Sequence, residues 1–306
     1  MKKIAQRKGI IIVLVAFLMV VFLTLLALVV DVGMLFLERI ELINILDAVV
    51  LSGVQELPDN NFEAKEVAQE YAANNNLSQD QITISIIDTN RIKAEASKQV
   101  AMNFAPIIGI RQVTIRNSAQ ASINEVAGLK GVVPFGIVQA DFVYGKKYYL
   151  KYGAGGLVNE QRKNGNFGAL ALGGTGAKNY EENIKYGHDQ MLSIGDEVTT
   201  EPGNMAGPTR KGVEYIIKQC DHLLSCTYDS VKPNCPRLLY VPVIDSLSNG
   251  RSSSEVVGFA AFFLEGMNKE EGNSYVEGYF IKWLVDSAQM SSNAQDFGLR
   301  NIKLVD

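Results

Sequence analysis

Three cysteines lie in one short segment and are the residues best suited to cross-linking or to metal chemistry. Cys220, Cys226 and Cys235 are accompanied by His222. In an oxidising compartment two of the thiols can form a disulfide, which leaves the third free or available to another chain. Three thiolates and an imidazole can instead bind zinc, although this spacing matches no common zinc motif. We therefore treat these cysteines as a possible disulfide site, with zinc or three reduced thiols as alternatives, and predict no metal centre.

Other candidate chemistry is weaker. The run Gly173–Lys178 resembles a phosphate-binding loop, but such a loop needs Gly directly before the Lys and Ser or Thr directly after it, where this chain has Ala177 and Asn179. His188 and His222 are the two histidines, and no G-x-S-x-G or H-E-x-x-H motif accompanies them. A pair of converging carboxylates stays open as a catalytic arrangement. The sequence predicts no cofactor and no enzyme activity.

The charge of the chain is divided unevenly. Lys2, Lys3, Arg7 and Lys8 precede the first acidic residue, Asp31. Setting those four of the 29 basic residues aside leaves 25 against 33 acidic residues, a net charge of −8 for the remainder. A nucleic-acid partner would favour the opposite sign, so we predict none.

An uncharged apolar stretch follows the basic tail. From Gly9 to Val30 only Thr24 is polar, and a helix of this length spans roughly 30 Å, the thickness of a bilayer's hydrocarbon core. A cleaved secretory signal is the main rival interpretation, but its apolar region is usually shorter and ends at a small-x-small site, which is missing here. We predict a retained transmembrane helix.

The orientation of this helix follows from its flanking charges. Cations precede the stretch, whereas Asp31 and Glu38 follow it, and the positive-inside rule then places the N-terminus in the cytoplasm. We predict a single-pass protein of the cytoplasmic membrane with its C-terminal part outside.

The helical pattern continues beyond the apolar stretch. Leu35, Leu42, Leu46 and Val49 recur at helical spacing between polar residues, and no proline occurs before Pro58. One long rod fits this pattern, and so do two helices hinged near Gly33.

A set of polar and glycine residues follows the apolar stretch at characteristic spacing, namely Asp31, Gly33, Arg39, Asn44, Asp47, Gly53 and Glu56. With these residues, over roughly residues 9 to 58, the chain resembles the N-terminal part of TadE/TadG-like proteins of the Flp pilus-assembly system. Ile45-Leu46 and Val49-Val50 stand where this family usually has alanine. The resemblance implies a role in pilus biogenesis or a related surface assembly.

Two expectations concern Asp31 and the apolar stretch. Asp31 either contacts another membrane helix or simply ends the apolar stretch at the interface. True prepilins carry a Glu five residues after the Gly at which they are cleaved, but Leu14 stands in that place after Gly9. The chain is therefore not expected to be a polymerising pilin subunit.

The remainder reads first as a small α+β module and then as β-rich sequence. A helix is predicted over 63–74, followed by alternating strands at 82–86, 92–96 and 113–123. Beyond it, strands are predicted at 132–138, 168–172, 238–244, 256–264, 275–281 and 302–305, with helices at 179–186 and 209–220. The expected fold class is α+β, with a mostly β ectodomain that is sandwich-like or barrel-like.

These patterns divide the chain into five regions. They are a cytoplasmic basic tail (1–8), a transmembrane helix (9–30), an extended amphipathic helix (31–58), a small α+β module (59–126) and a mostly β ectodomain (127–306). The expected function is a scaffold or interaction protein of Flp-type pilus or related surface assembly. Its expected partners are other membrane helices and pilus or envelope assembly proteins. A stand-alone adhesin or ligand-binding ectodomain and a membrane-tethered hydrolase are the alternatives.

Overall fold

A computed structural model describes residues 2–150, 168–201, 203, 205–221, 226–232, 234–248, 251–270, 273–286, 288–291 and 294–305. Its helices are α1 (Lys2–Val54), α2 (Asn61–Asn74), a short 3-10 helix (Ala105–Ile108), α3 (Ala177–Tyr186) and α4 (Ala206–Gln219). Its strands are β1 (Ile82–Asp88), β2 (Arg91–Ala101), β3 (Gln112–Leu129), β4 (Ile137–Val138), β5 (Lys147–Leu150), β6 (Leu192–Ser193), β7 (Glu197–Thr199), β8 (Leu238–Ile244), β9 (Ser253–Glu270), β10 (Asn273–Ile281), β11 (Trp283–Leu284), β12 (Gln289–Ser291) and β13 (Leu299–Val305).

Helix α1 is one continuous rod. It contains 53 residues and is about 80 Å long at 1.5 Å per residue. The alternative with a hinge near Gly33 is therefore not the one adopted. Side chains over 11–30 are exposed apart from the half-buried Ala27, whereas Leu42 and Leu46 are fully buried. The helix thus has a bare apolar half and a half that packs against other elements.

The chain folds as two compact units. Unit 1 comprises Met1–Ile123 with Lys303–Asp306, and unit 2 comprises Asn124–Ile302. The chain passes from unit 1 to unit 2 within β3 and returns within β13.

In unit 1 the second half of α1 packs against α2 and β2. Helix α2 begins where the Asn60 side chain accepts the N–H groups of Phe62 and Glu63, both at 3.1 Å. Alanines spaced four apart form its buried face, and they are Ala64, Ala68 and Ala72. Small side chains on this face let the two helices approach closely.

The strands of unit 1 form an antiparallel meander. Strand β1 pairs with β2, and β2 pairs with β3 from Arg91 opposite Ser122 to Ala101 opposite Gln112. The N–H of Met102 donates to the Arg111 carbonyl at 3.0 Å, and this bond closes the end of the β2–β3 hairpin. Residues 103–110 beyond this bond are called the hairpin tip, and they include the 3-10 helix.

Two sheets organise the strands. The first has the order β1-β2-β3-β13-β11, and β6 and β12 also pair with β3. The second has the order β4-β8-β9-β10-β5, and β7 also pairs with β9. Most neighbouring pairs are antiparallel, but β4 with β8 and β11 with β13 are parallel.

In unit 2 the central strands of the second sheet are buried on both faces. Alternate side chains of β9, such as Phe262 and Phe263, enter two different apolar clusters. One cluster includes Tyr180 of α3 and Val213 of α4, and the other includes Leu129 of β3. Burial on both faces explains why β8 reads as a continuous apolar run rather than an alternating one.

The predicted fold class is confirmed. A long apolar N-terminal helix is followed by a mostly β part with two sheets, and the whole is α+β. The strands expected at 132–138 and 168–172 are mostly wrong, since this part of the structure has only the short β4 and isolated bridges such as Phe135 with Ala169. Pro134 lacks the N–H that a continuous ladder needs, and a side chain at Gly136 would meet Leu170 at 3.0 Å.

Candidate functional site

Asp31 ties helix α1 to the hairpin tip. Its carboxylate accepts the backbone N–H groups of Asn103 at 3.0 Å, Phe104 at 3.1 Å and Ala105 at 2.7 Å. The residue is 4 % exposed although it directly follows the apolar stretch of α1. The structure therefore gives Asp31 a partner within its own chain, which neither sequence interpretation anticipated.

The local backbone explains why three donors meet one carboxylate. The tip leaves the β2–β3 ladder after Met102 and turns into the 3-10 helix Ala105–Ile108, whose first N–H groups have no partner within the helix. The side chain of Phe104, which precedes this helix, cannot cap it. The carboxylate of Asp31 does so from a distant part of the sequence, in charge-assisted hydrogen bonds.

A second tie joins α1 to the sheet of unit 1. The Lys98 ammonium on β2 lies 2.7 Å from the Glu38 carboxylate and 3.7 Å from that of Glu41. The hydrogen bond to Glu38 raises the pKa of Lys98 above its ordinary value, although partial burial opposes this effect. Because the pKa is raised, this stabilisation is present below the ordinary lysine pKa of about 10.4 and is lost as the pH rises through the raised value. The tie therefore holds at physiological pH.

The two glycines of the family resemblance occupy opposite environments. A Cβ built on Gly53 would lie 2.6 Å from the Ala64 carbonyl oxygen, 2.8 Å from Ile92 and 2.9 Å from Ala68. A Cβ built on Gly33 would meet nothing within 4 Å. Gly53 is therefore required where α1, α2 and β2 meet, whereas Gly33 is not required by the packing of unit 1.

The other predicted motif residues lie on the outside of α1 or close to its end. Arg39 and Asn44 are exposed, and Asp47 and Glu56 are half-buried. Asp31 and Gly53 therefore contact other elements of unit 1, whereas Arg39 and Asn44 are exposed.

A short helix or loop was expected over 100–108, where the 3-10 helix lies, but sequence reasoning missed the contacts that Lys98 and the hairpin tip make with α1. The tip carried one signal, because no charged residue occurs between Lys98 and Arg111 and the stretch contains Pro106-Ile107-Ile108-Gly109-Ile110. A polar donor set made of backbone N–H groups has no signature in residue types.

The three cysteines come together in unit 2. Their sulfur atoms lie within 4.8 Å of one another and are buried, with Cys226 and Cys235 at 3.0 Å and Cys220 and Cys235 at 3.7 Å. Burial, together with hydrogen bonds among the thiols, raises the pKa of Cys235 to about 12. His222, the fourth residue of the zinc alternative, lies outside the described residues. The three sulfur atoms are not bonded to one another in the structure. The disulfide stays a prediction.

The glycine-rich run is occupied by a protein carboxylate. Gly176 precedes helix α3, and its N–H donates to the buried carboxylate of Glu201 at 2.6 Å. A negative charge at a helix N-terminus is favourable, so Glu201 takes the place that a phosphate would need. This geometry agrees with the mismatch in the sequence.

Glu125 in unit 2 lies close to two other charged side chains and has a raised pKa. Burial raises the pKa of Glu125 above its ordinary value, and the nearby charge of Asp296 adds to this effect while Arg300 opposes it. Arg300 is paired with Asp296 at 2.5 Å. The arrangement is an ion-pair cluster within the sheet and the loop before β13.

Helix α1 also meets the requirements for crossing a membrane. It is long and apolar enough to do so, and none of its most apolar stretch is buried against the rest of the protein. A core helix of a soluble protein would be mostly buried, so that explanation does not apply. The helix is consistent with a single-pass membrane protein.

Comparison with known proteins identifies the same region. The sequence profile described as putative Flp pilus-assembly TadE/G-like matches residues 9–56. No curated protein and no solved structure matches the chain. The matched residues lie within helix α1 and the turn that follows it, and they include both Asp31 and Gly53. Residues 9–56 therefore form a TadE/G-like segment, as their resemblance predicted, and the match supports involvement of this chain in Flp pilus assembly.

Proposed function

We propose that this protein is a non-enzymatic, membrane-anchored scaffold of Flp pilus assembly. Helix α1 is its anchor. The part of unit 1 that follows the apolar stretch, together with unit 2, lies outside the cytoplasm and offers surfaces to pilus or envelope assembly proteins. The proposal goes beyond the family match, which covers residues 9–56 of unit 1 and no part of unit 2.

The observation that carries the proposal is the division of α1 into two halves. The side chains over 11–30 are apolar apart from Thr24 and exposed apart from Ala27. Asp31, Gly53 and the Glu38–Lys98 pair, by contrast, hold the second half of the helix against the other elements of unit 1. A rigid helix shared between lipid and a folded unit transmits position and force without a flexible linker. This is the construction expected of a scaffold.

The orientation rests on charge. Four cations precede the apolar stretch, and the first carboxylates, Asp31 and Glu38, follow it. Cytoplasmic flanks of membrane helices are enriched in Lys and Arg. The proposal therefore has the N-terminus in the cytoplasm.

An exposed strip on α1 is suited to a partner helix. Phe36, Ile40 and Ile43 are 63 %, 39 % and 37 % exposed, and their spacing of four and three residues places them on one face. Arg39 and Asn44, both from the family motif, are exposed beside them. Apolar side chains flanked by polar ones on a helix just outside the membrane favour packing against another amphipathic helix.

The proposal of a non-enzymatic role is supported by the state of the reactive groups described above. Burial raises the pKa of the Cys235 thiol, Glu201 accepts a hydrogen bond at the start of α3, and Asp296 is paired with Arg300. A thiol that stays protonated is a poor nucleophile.

Deletion of the gene is expected to abolish Flp pili, counted by electron microscopy, and the full chain is expected to restore them. A matched variant carries a cleavable secretion signal in place of residues 1–30, which releases the same folded units in soluble form. We expect this variant to be exported but to leave the cells without pili, because a scaffold must stay anchored. Pili restored by the released form would contradict the proposal, as would pili on the deletion strain.

A further inference from the structure

The hairpin tip has an apolar surface that its own unit does not cover. Phe104, Ile107, Ile108 and Ile110 are 43 %, 85 %, 76 % and 47 % exposed. No charge occurs between Lys98 and Arg111, so the surface is uninterrupted. A contiguous apolar surface on a folded protein marks a contact with a protein or a membrane.

The position of the tip indicates which of these it contacts. Between the tip and α1 lies an open groove of about 690 Å³, lined on the helix side by residues from Val20 to Asp31. On the other side it is lined by Phe104, Ala105, Ile107 and Ile108. At 1.5 Å per residue, Val20 lies about 16 Å along the helix from Asp31, towards the middle of the apolar stretch. The tip therefore lies beside the membrane-spanning part of α1.

Backbone N–H groups of the tip have hydrogen-bond acceptors within the protein, which a position beside lipid requires. A backbone polar group without a hydrogen-bond partner is costly in the hydrocarbon of a bilayer, so backbone that approaches lipid needs partners within the protein. Asp31 accepts three N–H groups, and the proline at position 106 has none to offer. Three further bonds, all at 3.1 Å, run from the N–H of Ile107 to the Phe104 carbonyl, from that of Gly109 to the Pro106 carbonyl and from that of Ile110 to the Ala105 carbonyl.

We propose that the hairpin tip is a second membrane contact, inserted into the lipid leaflet at the C-terminal end of the α1 span, with lipid acyl chain filling the groove between the tip and α1. The proposal rests on the membrane anchoring proposed above. Lipid is the occupant because the apolar side chains of α1 that line the groove belong to the stretch that faces lipid. A tip held in this way fixes the angle of unit 1 against the membrane, which one helix alone does not do.

The test uses the full-length protein in vesicles of phosphatidylcholine and phosphatidylglycerol. Ile107→Trp places a fluorophore at the tip, and Ile108→Trp is an independent second variant. The matched control is Phe62→Trp, because Phe62 is 74 % exposed and lies near Ala64, whose carbonyl contacts Gly53 roughly 35 Å along α1 from Val30. The emission of Trp283 is subtracted with the wild-type protein.

Phosphatidylcholine carrying a nitroxide near the headgroup end of its acyl chain is expected to quench most of the added fluorescence of both tip variants. It is expected to leave that of Phe62→Trp unchanged. Blue-shifted but unquenched tip emission would show that protein covers the tip, and it would overturn the proposal, as would emission typical of water.

A separate readout distinguishes this inference from the proposed anchoring. The same vesicles are washed at alkaline pH and floated on a density gradient. Protein that floats while the tip stays unquenched contradicts the second contact only. Protein that is released contradicts the anchor itself.

Discussion

Replacing Asp31 with alanine is expected to free the hairpin tip from helix α1. The N–H groups of Asn103, Phe104 and Ala105 lose the carboxylate that they share as acceptor. No other charged acceptor is among the contacts described for them. Hydrogen bonds to a charged group are stronger than neutral ones, so their loss opens the tip locally. Amide hydrogen exchange of residues 103–105 is expected to accelerate on the order of tenfold or more.

The measurement is hydrogen exchange followed by mass spectrometry on the full chain in lipid nanodiscs. Asp31→Asn is the matched control, because it keeps one oxygen acceptor without the charge and is expected to give an intermediate rate. Peptides covering β1 and the start of β2 serve as an internal reference and are expected to stay unchanged. An exchange rate of the tip that is the same in Asp31→Ala and wild type would contradict the role assigned to this carboxylate.

Gly53→Ala is expected to lower the free energy of unfolding of unit 1 by about 1–3 kcal/mol, the usual range for an overpacked core. The new Cβ would lie 2.6 Å from the backbone oxygen of Ala64, so α1 and α2 must move apart. Alanine raises helix propensity by up to about 1 kcal/mol, which offsets only part of this loss.

Gly33→Ala is the matched control in the same helix. Its Cβ meets nothing within 4 Å, so only the gain in helix propensity remains, and stability is expected to be unchanged or raised by up to about 1 kcal/mol. The free energy of unfolding of both variants is measured by urea unfolding of the detergent-solubilised chain, with pulse proteolysis within α2 as the readout. Equal stability of the two alanine variants would show that the close approach at Gly53 is not limiting.

The long apolar N-terminal helix and most strands were predictable because their signals are local. An uncharged stretch from Gly9 to Val30 and the alternating residues of β1 and β2 need no knowledge of the rest of the fold. The continuous apolar run of β8 was recognised as a strand, but only the structure explains it by burial on both faces.

The site itself depends on contacts that are distant in sequence. Asp31 meets N–H groups more than 70 positions further along, and every non-proline residue carries such a group, so no residue pattern marks the partner. The role of Gly53 depends on Ala64, Ala68 and Ile92, which lie on two other elements. The strand predicted at 132–138 was mostly wrong because Pro134 and Gly136 interrupt an otherwise apolar run, and the structure has only the short β4 and isolated bridges there, such as that of Phe135.

Membrane anchoring by α1 is tested most directly by protease treatment of spheroplasts that express the chain with an N-terminal epitope. The part of the chain after residue 31 is expected to be digested, while a small epitope-bearing fragment that contains residues 9–30 stays protected and resists alkaline extraction from the membrane. Protection of the later part in intact spheroplasts, with digestion only after lysis, would contradict the proposed topology, and release of the undigested chain by alkaline extraction would contradict the anchor.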